Sequence, residues 1–465
     1  MNGYNILYDW VIEAEFAGGA IAVLFYGSIH AARHFFDFSV NRTIECIGWF
    51  GRTCLKPIVR RPYHRITSDL PMIRSIIRSL RNAIEPERLT NQAVFERDAD
   101  LRGLPEFDPG IDATMEASAR WLCRAQDNSA SQDGGVARDY SLIEGWNSSY
   151  PETTGYIVPT LIAYAELTGD KHLLTRARLM LDWLVSIQFP DGGFQGSVIG
   201  AEPILPVTFN TGQILLGLVS GAEQFGEKYR GPMRRAADWL VATQDEDGCW
   251  RSHRSPFTEP TDKAYETHVS WGLFEAARLE PEAGYAKAAL ANIRWALKLQ
   301  NENGWFRDCC LSEPEHPLTH TIGYVLRGIV EAYRFSGEEE FLTASRRTAD
   351  ALLSAMGPNG ELPGRLNDNW SGTVDWTCLT GNVQIASCWF LLYDITGDNR
   401  YLEAARAANK FVRRTMDLDG RPETRGAVKG SFPVSGGYCT YEYPNWAAKF
   451  LIDSLLLEKS FIAEA

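Results

Sequence analysis

From about residue 110 onward the apolar positions recur in two alternating helical registers. One segment of each pair, typified by residues 156–167, is apolar almost all round, as a helix buried on every side would be. Its partner, residues 175–188, is amphipathic, with Arg176, Arg178 and Asp182 on one side. Between them stands a short turn, TGDKHLL, in which Gly169 is expected to adopt positive φ and stop the helix. The all-round apolar pattern returns at residues 210–223, 268–279, 321–335, 381–395 and 445–458, and the turn returns as SGEEEFL and TGDNRYL.

A second regularity marks the end of each amphipathic segment. The chain reads WLVSIQFPDGGF from Trp183, WLVATQDEDGCW from Trp239 and WALKLQNENGWF from Trp295. A longer copy, WLCRAQDNSASQDGG, starts at Trp121. Two degenerate copies, LLSAMGPNGEL from Leu352 and FVRRTMDLDGRP from Phe411, carry Met for Gln. The acid or amide before glycine falls at Asp133, Asp191, Asp247, Asn303, Asn359 and Asp419, in steps of 58, 56, 56, 56 and 60 residues. Six such units predict an all-α fold: an (α/α)6 toroid of six helical hairpins, the apolar helices inside and the amphipathic ones outside. Hairpins of this kind need their neighbours, because a single one cannot bury both its faces. The Gln before each turn is expected to bond groups left free at the helix end. The expected organisation is a helical N-terminal extension over residues 1–105 and a toroidal catalytic domain over 106–465.

Charge sharpens this division. The 465 residues carry a net charge of −13, yet residues 30–84 hold ten Arg and Lys against three acids. Phe35, Phe36, Phe38, Trp49 and Phe50 interleave with those cations. This segment reads either as a peripheral contact with a membrane surface or as a helical extension whose arginines pair with the acidic body. An acidic body repels phosphates, so no nucleic-acid partner is expected. Nine cysteines, an odd number without a CxxC pair, fit reduced thiols better than a disulfide scaffold. The uncharged stretch 16–29 is too short to span a bilayer and has no basic residues before it. The expected location is the cytoplasm, peripheral to the inner membrane if the basic segment binds there.

The stretch RAADWLVATQDEDGCW, residues 235–250, resembles the QW motif of the terpenoid-cyclase and protein-prenyltransferase α/α toroids. Residues 188–194 and 300–306 are similar to it. The six-hairpin glycosidase, polysaccharide-lyase and sugar-epimerase toroids are built alike, and the resemblance covers roughly residues 110–460. The string YPETTGY ahead of an inner helix also resembles toroid proteins of bacterial exopolysaccharide loci. The isoprenoid chemistries that the motif implies lack their residues here. There is no DxDD acid, and Asp308, Cys309 and Cys310 have no distant histidine after His320 to complete a zinc set. Neither a metal nor a cofactor is expected.

The polar residues gather where each turn leads into the next inner helix. There Glu152, Glu266, His268, His320, Asp375, Glu442 and Tyr443 are the candidate catalysts. Trp146, Tyr150, Asn210, Gln213, Tyr265, Trp271, Trp376, Asn382, Gln384, Tyr441 and Trp446 are the candidate substrate contacts. Carboxylates, amides and aromatic rings on one concavity suit a saccharide. Two carboxylates would serve as acid and base on a glycosidic bond. His or Tyr beside an amide would instead abstract the C5 proton of a uronate, in a lyase or an epimerase. The expected function is a lyase or glycoside hydrolase acting on a bacterial, uronate-containing exopolysaccharide or lipid-linked glycan. Alternatives are a sugar epimerase, an isoprenoid enzyme lacking DxDD and a noncatalytic glycan-binding scaffold. Several candidates have a plain structural role open to them: Glu152 and Asp375 as helix caps, the histidines as bonded wall residues, Asn210 and Gln213 as partners of helix ends.

Overall fold

A computed structural model of the chain describes residues 89–463, apart from 257 and 260. The basic segment 30–84 and its expected membrane contact lie outside the described residues. Helix α1 (Asn91–Asp100) comes first. It is followed by the pairs α2 (Ile111–Asp127) and α3 (Pro151–Thr168), α4 (Lys171–Ile187) and α5 (Thr208–Phe225), α6 (Glu227–Ala242) and α7 (Thr267–Leu279). The series continues with α8 (Tyr285–Leu297) and α9 (Thr319–Ser336), α10 (Glu339–Ala355) and α11 (Leu379–Thr396), α12 (Asn399–Arg414) and α13 (Asn445–Ala463). The odd-numbered helices from α3 to α13 pack side by side, and α13 returns to α3, so the ring closes. This is the toroid expected from the repeat.

Burial follows the two registers. Every residue of α11 from Leu379 to Leu392 is buried, whereas α12 buries one face and exposes Arg400, Glu403 and Lys410 on the other. The inner helices approach closely where side chains are smallest. Gly272 on α7 sits against the Gly212 carbonyl of α5, where a Cβ would clash. Gly169 takes φ +74° at the end of α3, as the turn pattern predicts.

The expected staple is present. Gln188 Nε2 donates to the Gly192 and Pro232 carbonyls at 3.0 Å each, and Gln244 Nε2 to those of Gly248 and Ala288 at the same distance. Each glutamine thus ties its own turn to the next outer helix. The glycine of the turn has positive φ and abuts that helix's backbone; at Gly192 a Cβ would collide with the Arg235 carbonyl. The sixth copy departs from the sequence reading. The glycine with this geometry is Gly426, at φ +78° against the Ala117 carbonyl, and not Gly420 after Asp419. An insertion displaced the staple, and the nearest Asp-Gly dipeptide mimics it in sequence. Ser118 on α2 then bonds the Gly426 carbonyl at 3.0 Å, and Trp121 Nε1 that of Glu423 at 2.8 Å.

Short strands tie the loops of the last unit to those of the first and fifth. β1 (Asp139–Ser141) pairs antiparallel with β2 (Gly145–Trp146), while β3 (Thr377–Cys378) pairs with β4 (Ser431–Phe432). β5 (Glu442–Pro444) adds to β1, with Tyr140 opposite Tyr443. Helix α1, which the sequence reading assigned to the extension, is anchored to the loops of the toroid. Asp100 accepts from Lys429 Nζ at 2.5 Å and from the Val434 amide at 2.7 Å, and the compact unit begins at Arg88.

Candidate functional site

The loops that leave the outer helices carry the chain to the N-terminal ends of the inner ones. First-turn side chains of α3, α5, α7, α9, α11 and α13 therefore converge at one end of the ring. Pro151 begins α3, its fixed φ suiting the first helical position, and Glu152 follows. Glu152 retains only 7% exposure, and Tyr150 donates a 2.6 Å hydrogen bond to its Oε2. Burial raises the Glu152 pKa to about 7, against the opposing pull of the Tyr150 hydroxyl and the Arg138 charge. A carboxyl so placed holds or releases a proton near neutrality, as a general acid or base must.

Two imidazoles face this carboxyl's surroundings from α7 and α9. His268 Nδ1 lies 2.6 Å from Gln213 Oε1, and His320 Nδ1 lies 2.7 Å from Gln384 Oε1. An amide oxygen only accepts, so each Nδ1 carries the proton and each Nε2 keeps its lone pair. Burial lowers both pKa values, that of His320 to about 4 and that of His268 well below the usual imidazole range. Tyr324 sits between them, its ring centroid 4.5 Å from each imidazole.

The open edge is formed by half-buried Arg138, Tyr150, Phe209 and Glu442. Arg138 bonds Asp139 and reaches Glu442 at 3.3 Å, with its guanidinium 5.3 Å over the Trp446 ring. Trp446 in turn donates to the Tyr438 hydroxyl at 2.9 Å. Burial raises Asp139 despite the adjacent cation.

Several polar atoms here have no protein partner. Gln213 Nε2 and Thr208 Oγ1 on α5 are buried without one. Asn210 Nδ2 lies towards the Tyr150 oxygen and completes no bond of its own. Buried polar groups are usually satisfied, so three on one helix start mark a surface made to receive oxygen atoms. Glu266 Oε2 is also without a partner, and burial raises this carboxyl to about 8 beside Arg254, Asp262 and Lys263. Tyr265 is buried within electrostatic reach of both Glu266 and Glu152.

Of the predicted residues, Glu152, His268, His320, Tyr150, Asn210, Gln213, Tyr265, Gln384 and Trp446 come together. Glu266 and Glu442 lie at the margin. The others are elsewhere. Asp375 is exposed on the loop before β3, and the N-cap of α11 is Cys378. Tyr443 alternates with Glu442 along β5 and turns its hydroxyl to Glu96 on α1, because neighbouring strand residues face opposite ways. Tyr441 likewise interacts with Arg97. Asn382 is fully buried as a staple, donating to the Gly360 and Ala408 carbonyls at 3.1 and 3.0 Å. Trp146 packs on Trp121 and Tyr140 outside the inner ring. Trp376 packs on Gly364, Gly436 and Gly437. Trp271 reaches the site only through its 5.2 Å contact with His268; its Nε1 donates to Glu275 and its face carries Arg327.

Sequence reasoning missed Arg138, Asp139, Tyr156, Tyr324 and Tyr438. Arg138 and Asp139 follow the first Gly-Gly turn, where charge at the ring's mouth was the available signal. The tyrosines lie within apolar helical runs or a loop, with no motif to separate them from core. A cleft of about 470 Å3, lined by Gln126, Asp133, Arg176 and Trp183, lies between α2 and α4 and contains none of the polar cluster. Among the described residues no group of three His, Cys, Asp or Glu side chains could hold a metal ion, and no helix is long and apolar enough to cross a membrane.

No family model matches the chain, and no curated protein does. Solved structures are similar in fold. An unsaturated glucuronyl hydrolase specific for heparin superposes with a TM-score of 0.62 at 16% identity, over 76% of this chain and 98% of that one. Cellobiose 2-epimerase from Bacillus thermoamylovorans gives 0.57 at 12% identity, over 79% and 99%. A polysaccharide lyase gives 0.53 at 9% identity, over 76% and 98%. These are six-hairpin toroids of the glycosidase-like kind, and at such identities the likeness establishes the shared architecture.

Proposed function

We propose that the chain is a carbohydrate-active enzyme that cleaves a uronate-bearing saccharide by β-elimination. The observation that carries this reading is Gln213. Its Oε1 holds His268 in the tautomer with a free Nε2, and its Nε2 is a buried donor without an acceptor. A base and a receiver for the substrate's carboxylate are thus fixed by one side chain. Asn210 Nδ2 is a second such donor on the same helix turn.

In this reading the C5 proton moves to His268 Nε2, and the electron pair passes into the carboxylate, held by the two amides as it becomes enolate-like. The C4–O bond then breaks as C4=C5 forms. The departing oxygen takes its proton from Glu152, whose pKa of about 7 leaves much of it protonated at neutrality. Trp446 and Tyr150 supply ring surfaces for the sugar. The amide-rich wall disfavours an isoprenoid substrate. The similarity to glucuronyl hydrolases and lyases adds support for saccharides as the substrate class, and a bacterial exopolysaccharide or lipid-linked glycan is the proposed setting.

One observation favours hydrolysis as a second reading. Asp139 is a buried carboxyl with an unpartnered Oδ1, linked through Arg138 to the surroundings of Glu152. The test is turnover of the purified chain on uronate-containing and neutral polysaccharides. Ultraviolet absorbance would report the C4=C5 bond, a reducing-end assay would run in parallel, and Glu152→Gln and His268→Ala would serve as controls. Absorbance that either control abolishes supports elimination. Reducing ends without absorbance support hydrolysis. Folded protein with neither signal overturns the cleavage reading.

A further inference from the structure

The two imidazoles look equivalent in their glutamine bonds and differ in what lies behind them. His268 meets Trp271 edge-on at 5.2 Å, and the same Trp271 ring carries the Arg327 guanidinium 4.0 Å from its centroid. His268 also lies 6.5 Å from the Phe450 ring, over which Lys449 Nζ sits at 4.2 Å. The same ammonium is 4.9 Å from the Tyr156 ring. Two cations therefore each share an aromatic ring with His268. His320 contacts Tyr324, Tyr438 at 5.4 Å and Gln384, none of them charged.

Both cations are fixed in place. Arg327 Nε bonds Glu331 at 2.7 Å, and Lys449 Nζ bonds Asp453 at 2.6 Å. Thr160 holds Asp453 from α3 at 2.6 Å. In each pair the acid lies four residues beyond the cation, about 6 Å further along the helix and away from the site end. The other ionisable groups nearby are Glu275 on α7, bonded to Trp271, His320 and Tyr324 on α9, and, beyond Tyr324, Tyr156 and Glu152 on α3. Helix α5 contributes the neutral Gln213 and Phe209, and α13 contributes Lys449 and Asp453.

We propose that Lys449 and Arg327 are positioning residues that act on His268 beside the Phe450 and Trp271 rings, keeping it neutral and leaving His320 as the imidazole that takes up a proton first as pH falls. The asymmetry needs no substrate. Like charge nearby disfavours imidazolium, and the low-polarity rings beside them transmit the field with little screening.

The experiment is an NMR titration of the imidazoles in the full chain, with His268 and His320 assigned by His268→Gln and His320→Gln. The expected result in the unsubstituted protein is that His320 protonates first as pH falls, while His268 stays neutral with its proton on Nδ1. Lys449→Met is expected to raise the His268 midpoint and narrow the gap, leaving that of His320 in place. Arg327→Met provides the same reading if Lys449→Met does not fold. His268 titrating with or before His320 in the unsubstituted protein overturns the proposal, as does a folded variant in which His268 does not move. Failure of the activity screen would leave this titration order intact, so the two readings fail separately.

Discussion

The Tyr150 hydroxyl donates its proton to Glu152 Oε2 across 2.6 Å, joining the residue that caps α3 to the second residue of that helix. This bond favours the ionised carboxyl, whereas burial favours the neutral one and wins, giving a pKa of about 7. Tyr150→Phe removes the opposing term. The expected outcome is that the limb of the pH–rate profile marking loss of the protonated acid moves to higher pH, with Glu152→Gln lowering turnover by roughly 10²–10⁴-fold.

The same carboxyl makes stability depend on pH. Its folded pKa lies above the unfolded value of 4.5, so the native state binds the proton more tightly. No penalty exists below pH 4.5. It grows between 4.5 and 7 and is complete above. Glu152→Gln is therefore expected to stabilise the fold at pH 8 by roughly 2–3 kcal/mol, from about 1.4 kcal/mol per pH unit, less the lost Tyr150 bond. The advantage should vanish at pH 4. Urea unfolding at the two pH values measures it, and an equal effect at both would contradict the assignment.

Arg138 neutralises two acids, of which Asp139 is 1% exposed. Arg138→Met leaves that carboxylate uncompensated at the ring seam. The expected cost is about 3 kcal/mol, in line with breaking one side of a buried pair and reduced by the partial exposure of Arg138 itself. Chemical denaturation reads it, and acid pH should recover much of the loss by protonating Asp139.

Tyr443 and Asp375 provide the complementary test. Tyr443 turns towards Glu96, and Asp375 is exposed. Tyr443→Phe and Asp375→Asn are expected to leave kcat/KM within about twofold, since neither touches the polar cluster. A large loss in either would relocate the site.

The sixth staple is testable by stability alone. Gly426→Ala places a Cβ against the Ala117 carbonyl at φ +78° and is expected to cost about 2–4 kcal/mol. Gly420→Ala meets only the Asp417 side chain and should cost under about 1 kcal/mol. Thermal unfolding of the two variants separates them.

The sequence by itself determined the ring. Six copies of a turn followed by an all-round apolar helix leave each hairpin with two faces to bury, and only a closed circle of hairpins buries both. It also marked the end of the ring at which the polar residues gather, because they cluster at the inner-helix starts. It did not distinguish Tyr443 from Glu442, neighbours in a strand that differ in facing, or Asn210 from Asn382, which stand third and fourth in their inner helices and so point to different surroundings. Tertiary packing decided those facings. It moved the last staple from Gly420 to Gly426, and it set Lys449 and Arg327 against rings that neighbour His268. Residues hundreds of positions apart meet through ring closure, and the electrostatic environment of a buried group is a property of that meeting and of no local pattern.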